Sequence, residues 1–239
     1  MAPARSLRSS EGSISRLFPV PLVRTLSESL PQAAAAESAI PSYTNPNPLI
    51  RWLMFRRLEE IRRLALDTLS RRGGNGSVDA LDFGCGIGMM IPALSPHVDR
   101  LFLSDEQLGP AQATAKWFQA ANVVCLRPED LESRIEASTL EVVTAADVLE
   151  HVDSLEAVVT TLRQKLRVGG TLIVSGPTEN SAYRLGRRIA GFTGEYHVCS
   201  VFHVEEVIQR SGFARERLRR LPFPVGPALF RITQWRRTT

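Results

Sequence analysis

The chain has 239 residues, 44% of them hydrophobic, which is enough for one α/β domain with an appendage and a real core. Its formal charge of +4 is too small to argue for nucleic acid as a partner, and no run of about 18 uninterrupted apolar residues offers a membrane span. The three cysteines, Cys85, Cys125 and Cys199, form no CxxC pair, which argues against a zinc site or a disulfide framework and for a reducing compartment.

Residues 1–42 are rich in Ser, Ala and Pro, carry scattered Arg and few acids, and sustain no apolar period. A disordered or loosely packed leader is expected there, with the domain at 43–239. The leader lacks the apolar block of a secretory signal, and its composition is compatible with a transit peptide. From residue 49 to 69 the pattern changes: Ile50, Leu53, Met54, Leu58, Ile61, Ala65 and Leu69 recur at helical spacing, with Arg56, Glu60 and Arg63 among the polar positions. The amphipathic helix should close at Arg71-Arg72-Gly73-Gly74.

Strands and helices then alternate. Strands are expected at 78–83, Arg100–Ser104, Val123–Leu126, 141–146 and 171–175, with a helix start at 88–94 and helices at 108–120 and 155–166. This order implies parallel βαβ units. A helix at 204–210 closes at Ser211-Gly212-Phe213. Two further strands, 215–221 and 229–235, are joined by a Pro-rich turn and can therefore pair antiparallel. Residues 210–239 carry eight arginines against the single acid Glu216, a surface that would attract anionic lipid or an anionic substrate if it were not simply solvated.

Chemistry enters with Ala80-Leu81-Asp82, an apolar strand end leading into Gly84-x-Gly86-x-Gly88 and then directly into the expected helix. Glycine is needed where the backbone turns sharply and lies against a ligand, and the free N–H groups of a helix start add positive potential. In open α/β sheets ligands sit outside the carboxyl ends of the strands. Seventeen residues after Gly88, the strand Leu101-Phe102-Leu103-Ser104 ends in Asp105, a carboxylate placed to accept both hydroxyls of a ribose. After the third strand, Glu129 or Asp130 is placed to meet an adenine amino group. Each of these acids equally suits the first turn of a helix. Together they outline a nucleotide pocket.

The run Leu81-Asp82-Phe83-Gly84-Cys85-Gly86-Ile87-Gly88 resembles motif I of the class I S-adenosylmethionine-dependent methyltransferases. Ala146-Asp147-Val148-Leu149-Glu150-His151-Val152 resembles the fourth-strand segment of that family's small-molecule branch. Residues 166–177 resemble its helix end, Gly-Gly turn and fifth strand. The similarity spans about residues 45–235 and leans towards the ubiquinone-biosynthesis O-methyltransferases and related type 11 and type 12 domains. It implies a Rossmann-like seven-stranded, mostly parallel sheet with helices on both faces and the last strand antiparallel. It also implies a donor cofactor, S-adenosyl-L-methionine, whose methionine part lies over Gly84, Cys85 and Gly86. Asp82 and Gly88 would frame that turn, the ribose would sit on Asp105 with Glu106 beside it, the adenine near Asp130, and the sulfonium near Asp147. Arg127-Pro128 separate the third strand from the adenine acid, a departure from the family pattern. Asn47-Pro48-Leu49 resembles the segment that helps close the pocket in the ubiquinone-type enzymes, with one extra residue before Arg51.

Methyl transfer from a sulfonium mainly requires alignment, and a base is needed only if the acceptor must lose a proton. The candidate bases are His151, His197 and Tyr196; the last two lie in Gly194-Glu195-Tyr196-His197, a polar segment suited to a lid. No cluster of His, Asp and Glu argues for a metal. The expected acceptor is a small molecule, hydrophobic or lipid-linked if helix 49–69, the Arg184, Arg187 and Arg188 segment and the basic C-terminus form a membrane-facing surface. The expected location is cytoplasmic, with peripheral membrane contact. Two other readings compete. An NAD-binding oxidoreductase would place its third glycine one residue later than Gly88 and leave residues 149–151 and 169–170 unexplained. A non-catalytic methyltransferase-like subunit would have no need of the intact turn and Asp105.

Overall fold

The computed structural model describes residues 12–28, 30, 40–71, 77–181, 183 and 199–239. Seven strands, β1 (Asp79–Phe83), β2 (Arg100–Ser104), β3 (Val123–Leu126), β4 (Leu140–Ala146), β5 (Leu166–Pro177), β6 (Phe213–Leu221) and β7 (Phe230–Arg237), form one sheet in the order β3-β2-β1-β4-β5-β7-β6. The first five strands pair in parallel, and β7 inserts antiparallel between β5 and β6. The expected α/β class and the antiparallel final strand are both present.

Side chains alternate between two cores, as the period of two in a strand requires. Ala80, Leu101, Leu103, Val142, Ile173 and Ile232 belong to one core, and Leu81, Phe102, Val143, Leu172, Val174 and Trp235 to the other. A sheet buried on both faces needs helices on both. The first face is covered by α4 (Pro48–Ser70), α5 (Ile91–Leu94) and α6 (Gly109–Trp117), the second by α7 (Leu131–Arg134), α8 (Leu155–Lys165) and α9 (Val201–Arg210). Helix α4 begins where its sequence dictates. Pro48 occupies the first turn, where its missing N–H costs nothing, and the Asn47 side chain accepts a hydrogen bond from the Leu49 N–H at 2.9 Å. Glu60, expected on the polar side, is buried, and its carboxylate pairs with Arg56 and Arg63.

Part of the expected leader is built into the domain. Helices α1 (Ile14–Leu17) and α2 (Val20–Ser27) place Ile14, Phe18 and Val23 fully out of solvent, and α3 (Ile40–Tyr43) packs on α4. The Phe18 ring meets that of Phe118 at 5.4 Å between centroids. The i, i+3, i+4 apolar spacing of Ile14, Leu17 and Phe18 is helical, but Pro19 resets it after one turn, so no period long enough to stand out survives. The other residues of 1–42 lie outside the described set.

Two further differences are local. The expected helix at 88 begins only at Ile91 and is four residues long, because Gly84, Gly86 and Gly88 adopt left-handed φ of +70, +53 and +74°. The Gly169-Gly170 turn is absorbed into β5. Leu166 pairs with Leu140 and Thr171 with Val142, so residues 167–170 bow out opposite Glu141, whose carboxylate takes two hydrogen bonds of 2.6 Å from Arg167.

Candidate cofactor site

The strand order reverses between β1 and β4, and the loops after β1, β2 and β4 meet at the carboxyl edge there. The turn after β1 is drawn against β2: the Gly84 and Cys85 N–H groups donate to the Ser104 carbonyl at 2.8 and 3.1 Å. The Gly86 N–H donates to Asp105 Oδ2 at 2.8 Å and the Gln107 N–H to Oδ1 at 3.0 Å. Asp105 thus holds the glycine turn closed, while each of its oxygens keeps further acceptor capacity. A Cβ on Gly86 would meet nothing within 4 Å, whereas one on Gly84 would stand 2.4 Å from Val148 Cγ2. The turn presents an open cradle at residue 86 and packed protein at residue 84. The helix behind it is too short to supply the N-terminal potential the sequence implied, so recognition falls to the turn and to the side chains around it.

Above the turn lies a cleft open to solvent. Its lining includes Asp82, Gly84, Cys85, Gly86, Asp105 and Gln107 from the sheet side and Ile40, Tyr43, Arg57 and Leu58 from the helices. Asp82 is buried at the end of β1 and accepts a 2.6 Å hydrogen bond from Thr144 Oγ1. Burial pushes its carboxyl up to about 7, against the Thr144 hydrogen bond and with some help from the nearby Asp105 charge. Burial likewise pushes the Cys85 thiol up, so it is no nucleophile.

Asp147 follows β4 in a left-handed conformation, φ +51°. Its N–H donates to the Ser175 carbonyl at 3.0 Å, and Ser175 Oγ donates to its Oδ1 at 2.9 Å. Its other oxygen is paired with Arg57, a partner the sequence reading missed. Arg57 is 1% exposed. One of its terminal nitrogens donates to the Tyr43 hydroxyl at 2.8 Å, and its guanidinium stacks 5.2 Å from the Phe230 ring centre. The signal was present: Arg57 lies on the stripe of Met54, Leu58 and Ile61, where a charged residue interrupts an apolar face.

The other expected residues are more scattered. Gly88 shapes the turn but does not line the cleft. Glu106, Glu129 and Asp130 are exposed and outside its lining. His151 is exposed at the end of the 3-10 turn Leu149–His151. Its neighbour Glu150 is buried, and desolvation pushes its carboxyl up to about 7 despite the lowering influence of a backbone hydrogen bond and of Arg57. Tyr196, His197 and the arginines of 184–188 lie outside the described residues. Among the described residues there is no group of three His, Cys, Asp or Glu side chains able to hold a metal.

The sheet order, the turn held by Asp105 and the cleft at the carboxyl edge define an α/β domain of the kind that receives a nucleoside cofactor at its switch point. Residues 53–226 match the family model described as methyltransferase domain, and the chain belongs to that family. Among curated relatives, the ubiquinone biosynthesis O-methyltransferase of Aromatoleum aromaticum is 30% identical over 131 residues, covering 53% of this chain and 55% of that protein. The protein of the same name from Chromobacterium violaceum is 29% identical over 136 residues, covering 55% and 58%. The chain thus spans about half the length of the curated relatives it matches. In fold it is similar to the magnesium protoporphyrin IX methyltransferase of Synechocystis PCC 6803, solved with bound SAH. The TM-score is 0.63 and the identity 19%, over 91% of this chain and 99% of that one. The N-methyltransferase NodS of Bradyrhizobium japonicum WM9 superposes at a TM-score of 0.60 with 16% identity, over 91% and 98%.

Proposed function

We propose that the protein transfers the methyl group of S-adenosylmethionine to a small-molecule acceptor and releases S-adenosylhomocysteine. The observation that carries this reading is the glycine turn closed onto Asp105 beneath an open cleft. The cleft lining fits the group: Asp105 for the ribose hydroxyls, the backbone of Gly84, Cys85 and Gly86 for the thioether chain, and Asp82 for its amino-acid end, whereas Glu106, Asp130 and Asp147 lie outside that lining. When bound, S-adenosylmethionine supplies a methyl group on a cationic sulfur, a leaving group that needs no further activation. What remains for the protein is to orient the acceptor, worth up to about 7–11 kcal/mol in well-aligned cases, and to exclude water. The apolar cleft wall of Leu58, Ile87, Met89 and Met90 serves the second task.

An acceptor hydroxyl needs a base, and His151, His197 or Tyr196 fills that role in this reading; the name of the curated relatives favours transfer to oxygen. The acceptor class is supported by the rim. Leu49 and Trp52 are 72% and 52% exposed at the start of α4, and Phe223 and Val225 are 67% and 82% exposed in the turn between β6 and β7. Both segments lie at the carboxyl edge, where the cleft opens, which suits a hydrophobic or lipid-linked acceptor and peripheral contact with a membrane.

Calorimetry with S-adenosylhomocysteine and with NAD tests the cofactor: binding of the first alone is expected, and binding of NAD alone would overturn the reading. A screen with labelled donor across phenols, amines, sugars and polyprenyl lipids then identifies the acceptor, with polyprenyl phenols expected to be labelled.

A further inference from the structure

A second groove runs along a different face of α4 and shares no lining residue with the cofactor cleft. One wall is the α4 stripe Pro48, Trp52 and Phe55, flanked by the charged residues Arg51, Arg56 and Glu59. The other wall is Phe18, Pro19 and Val20, from the corner between α1 and α2. The Ile14 N–H donates to Glu59 Oε2 at 3.4 Å and ties α1 to the far end of the stripe. Phe55 meets the Tyr43 ring at 5.2 Å between centroids, so an aromatic pair separates the groove from the cleft that Tyr43 lines. From Pro48 to Glu59 the helix rises about 16 Å, at 1.5 Å per residue. One extended alkyl chain matches that length and those apolar walls. The charges of the wall say what stands at its head. Glu59 takes hydrogen bonds from Arg62 Nε and Nη2, and Arg56 pairs with Glu60 at 2.7 Å. Arg51 pairs with no carboxylate among the described residues; its Nη1 alone donates, to the carbonyls of Asn45 and Pro46. The wall therefore carries one unbalanced positive charge beside apolar surface, and the rest of the Arg51 fork is free to meet a carboxylate.

We propose that this groove binds a long-chain carboxylate, with its head on the Arg51 fork and its alkyl chain between the α4 stripe and the α1–α2 corner. The site is separate from the methyl-transfer cleft and does not depend on the cofactor reading. Trp52 follows Arg51 in the chain and is half exposed, so its ring covers the first part of the alkyl chain and loses that exposure on binding. The single unmatched cation selects a single negative charge. A dianionic head would bring an uncompensated charge into a wall that already contains Glu59.

Calorimetry with dodecanoate, dodecanol and dodecyl phosphate, equal in chain and different in head, tests the site. The unaltered protein should bind dodecanoate saturably at a single site, at least about 10-fold more tightly than dodecanol, the scale of one charge-assisted hydrogen bond. Arg51→Gln should abolish that preference and leave dodecanol within about threefold. Because Arg51 also holds the Asn45 and Pro46 carbonyls, two further variants probe the groove without it. Ser15→Phe sets a ring at an exposed position of the groove wall and should weaken dodecanoate and dodecanol alike by about 10-fold or more, with S-adenosylhomocysteine bound as before. Dodecanoate should shift the intrinsic fluorescence of the unaltered protein, and Trp52→Phe should remove that shift. Equal affinity for dodecanoate and dodecanol, tighter binding of dodecyl phosphate than of dodecanoate, or uptake that never saturates would overturn the proposal. Dodecanoate binding left unaltered by Ser15→Phe, or a fluorescence shift that survives Trp52→Phe, would equally place the ligand elsewhere and overturn it.

Discussion

Gly84 and Gly86 share left-handed backbones, yet an added methyl group has a different consequence at each. At residue 84 it would collide with Val148, so Gly84→Ala should cost about 3 kcal/mol or more of stability through overpacking and backbone strain together. At residue 86 it faces the cleft with nothing within 4 Å. Gly86→Ala should cost only the left-handed penalty of about 1–2 kcal/mol, but reduce S-adenosylhomocysteine affinity by at least about tenfold. Thermal melts and calorimetry on the pair separate the two effects; equal losses of stability would contradict the geometry. Asp82 makes a second prediction at this scale. In the unfolded chain its carboxyl titrates near 3.8, and in the fold near 7. Between those values the unfolded state sheds a proton that the folded state retains, so this group's contribution is intact below about pH 4 and is lost as pH rises through about 7. Asp82→Asn preserves the acceptor for Thr144 and removes the titration. The variant should match the parent near pH 4 and exceed it above pH 7, by up to about 4 kcal/mol at 1.36 kcal/mol per unit. Melting curves that run parallel across this range would refute it.

Among the elements, those read most directly from the sequence are the ones whose reasons are local. Strands β2 and β3 run as expected, because a short apolar run between turn signals carries its own assignment, and Asn47-Pro48 announces α4. The glycine turn and Asp105 were legible for the same reason: strand end, turn and carboxylate follow one another along the chain. What escaped depends on distant partners. Arg57 acquires meaning only through Tyr43, Asp147 and Phe230, and the bowed start of β5 only through the pairing of Arg167 with Glu141. The N-terminal helices failed on length. Four and eight residues are too few to hold themselves together in water, so they exist by docking. Phe18 carries much of that docking against Phe118. Phe18→Ala should cost about 3–5 kcal/mol, the range for deleting a buried ring, read in urea unfolding. A loss below about 1 kcal/mol would mean that this segment behaves as the loose leader its composition implies.

For the molecule as a whole, the direction of α4 organises the surface. Arg57 sits by Asp147 and Phe230 at the carboxyl edge, while Asp67 and Thr68 bind Arg217 and Gln234 farther down the sheet. Leu49 and Trp52 therefore project past the edge from which the cleft opens. The β6–β7 turn reaches the same edge, since Leu221 and Phe230 pair beside Pro177 at the end of β5. Just before its exposed Phe223 and Val225 come Arg219 and Arg220, which are exposed and form no ion pair among the described residues. Among those residues no helix is long and apolar enough to cross a membrane. Exposed aromatic and aliphatic side chains flanked by exposed arginines would instead suit an anionic bilayer surface. Such docking would set the cleft mouth against the lipid and shorten the path of an apolar acceptor. The protein should co-sediment with phosphatidylglycerol-containing vesicles and not with pure phosphatidylcholine. Arg219→Gln/Arg220→Gln should weaken that binding by roughly 30-fold, at about 1 kcal/mol per arginine. Phe223→Ser/Val225→Ser should remove the part that survives high salt, because insertion of apolar groups is not screened. Both variants should bind S-adenosylhomocysteine as the parent does, since none of the four side chains lines the cleft. Equal sedimentation with neutral and anionic vesicles, or variants indistinguishable from the parent, would exclude this edge as a membrane-docking face while leaving the chemistry of the cleft untouched.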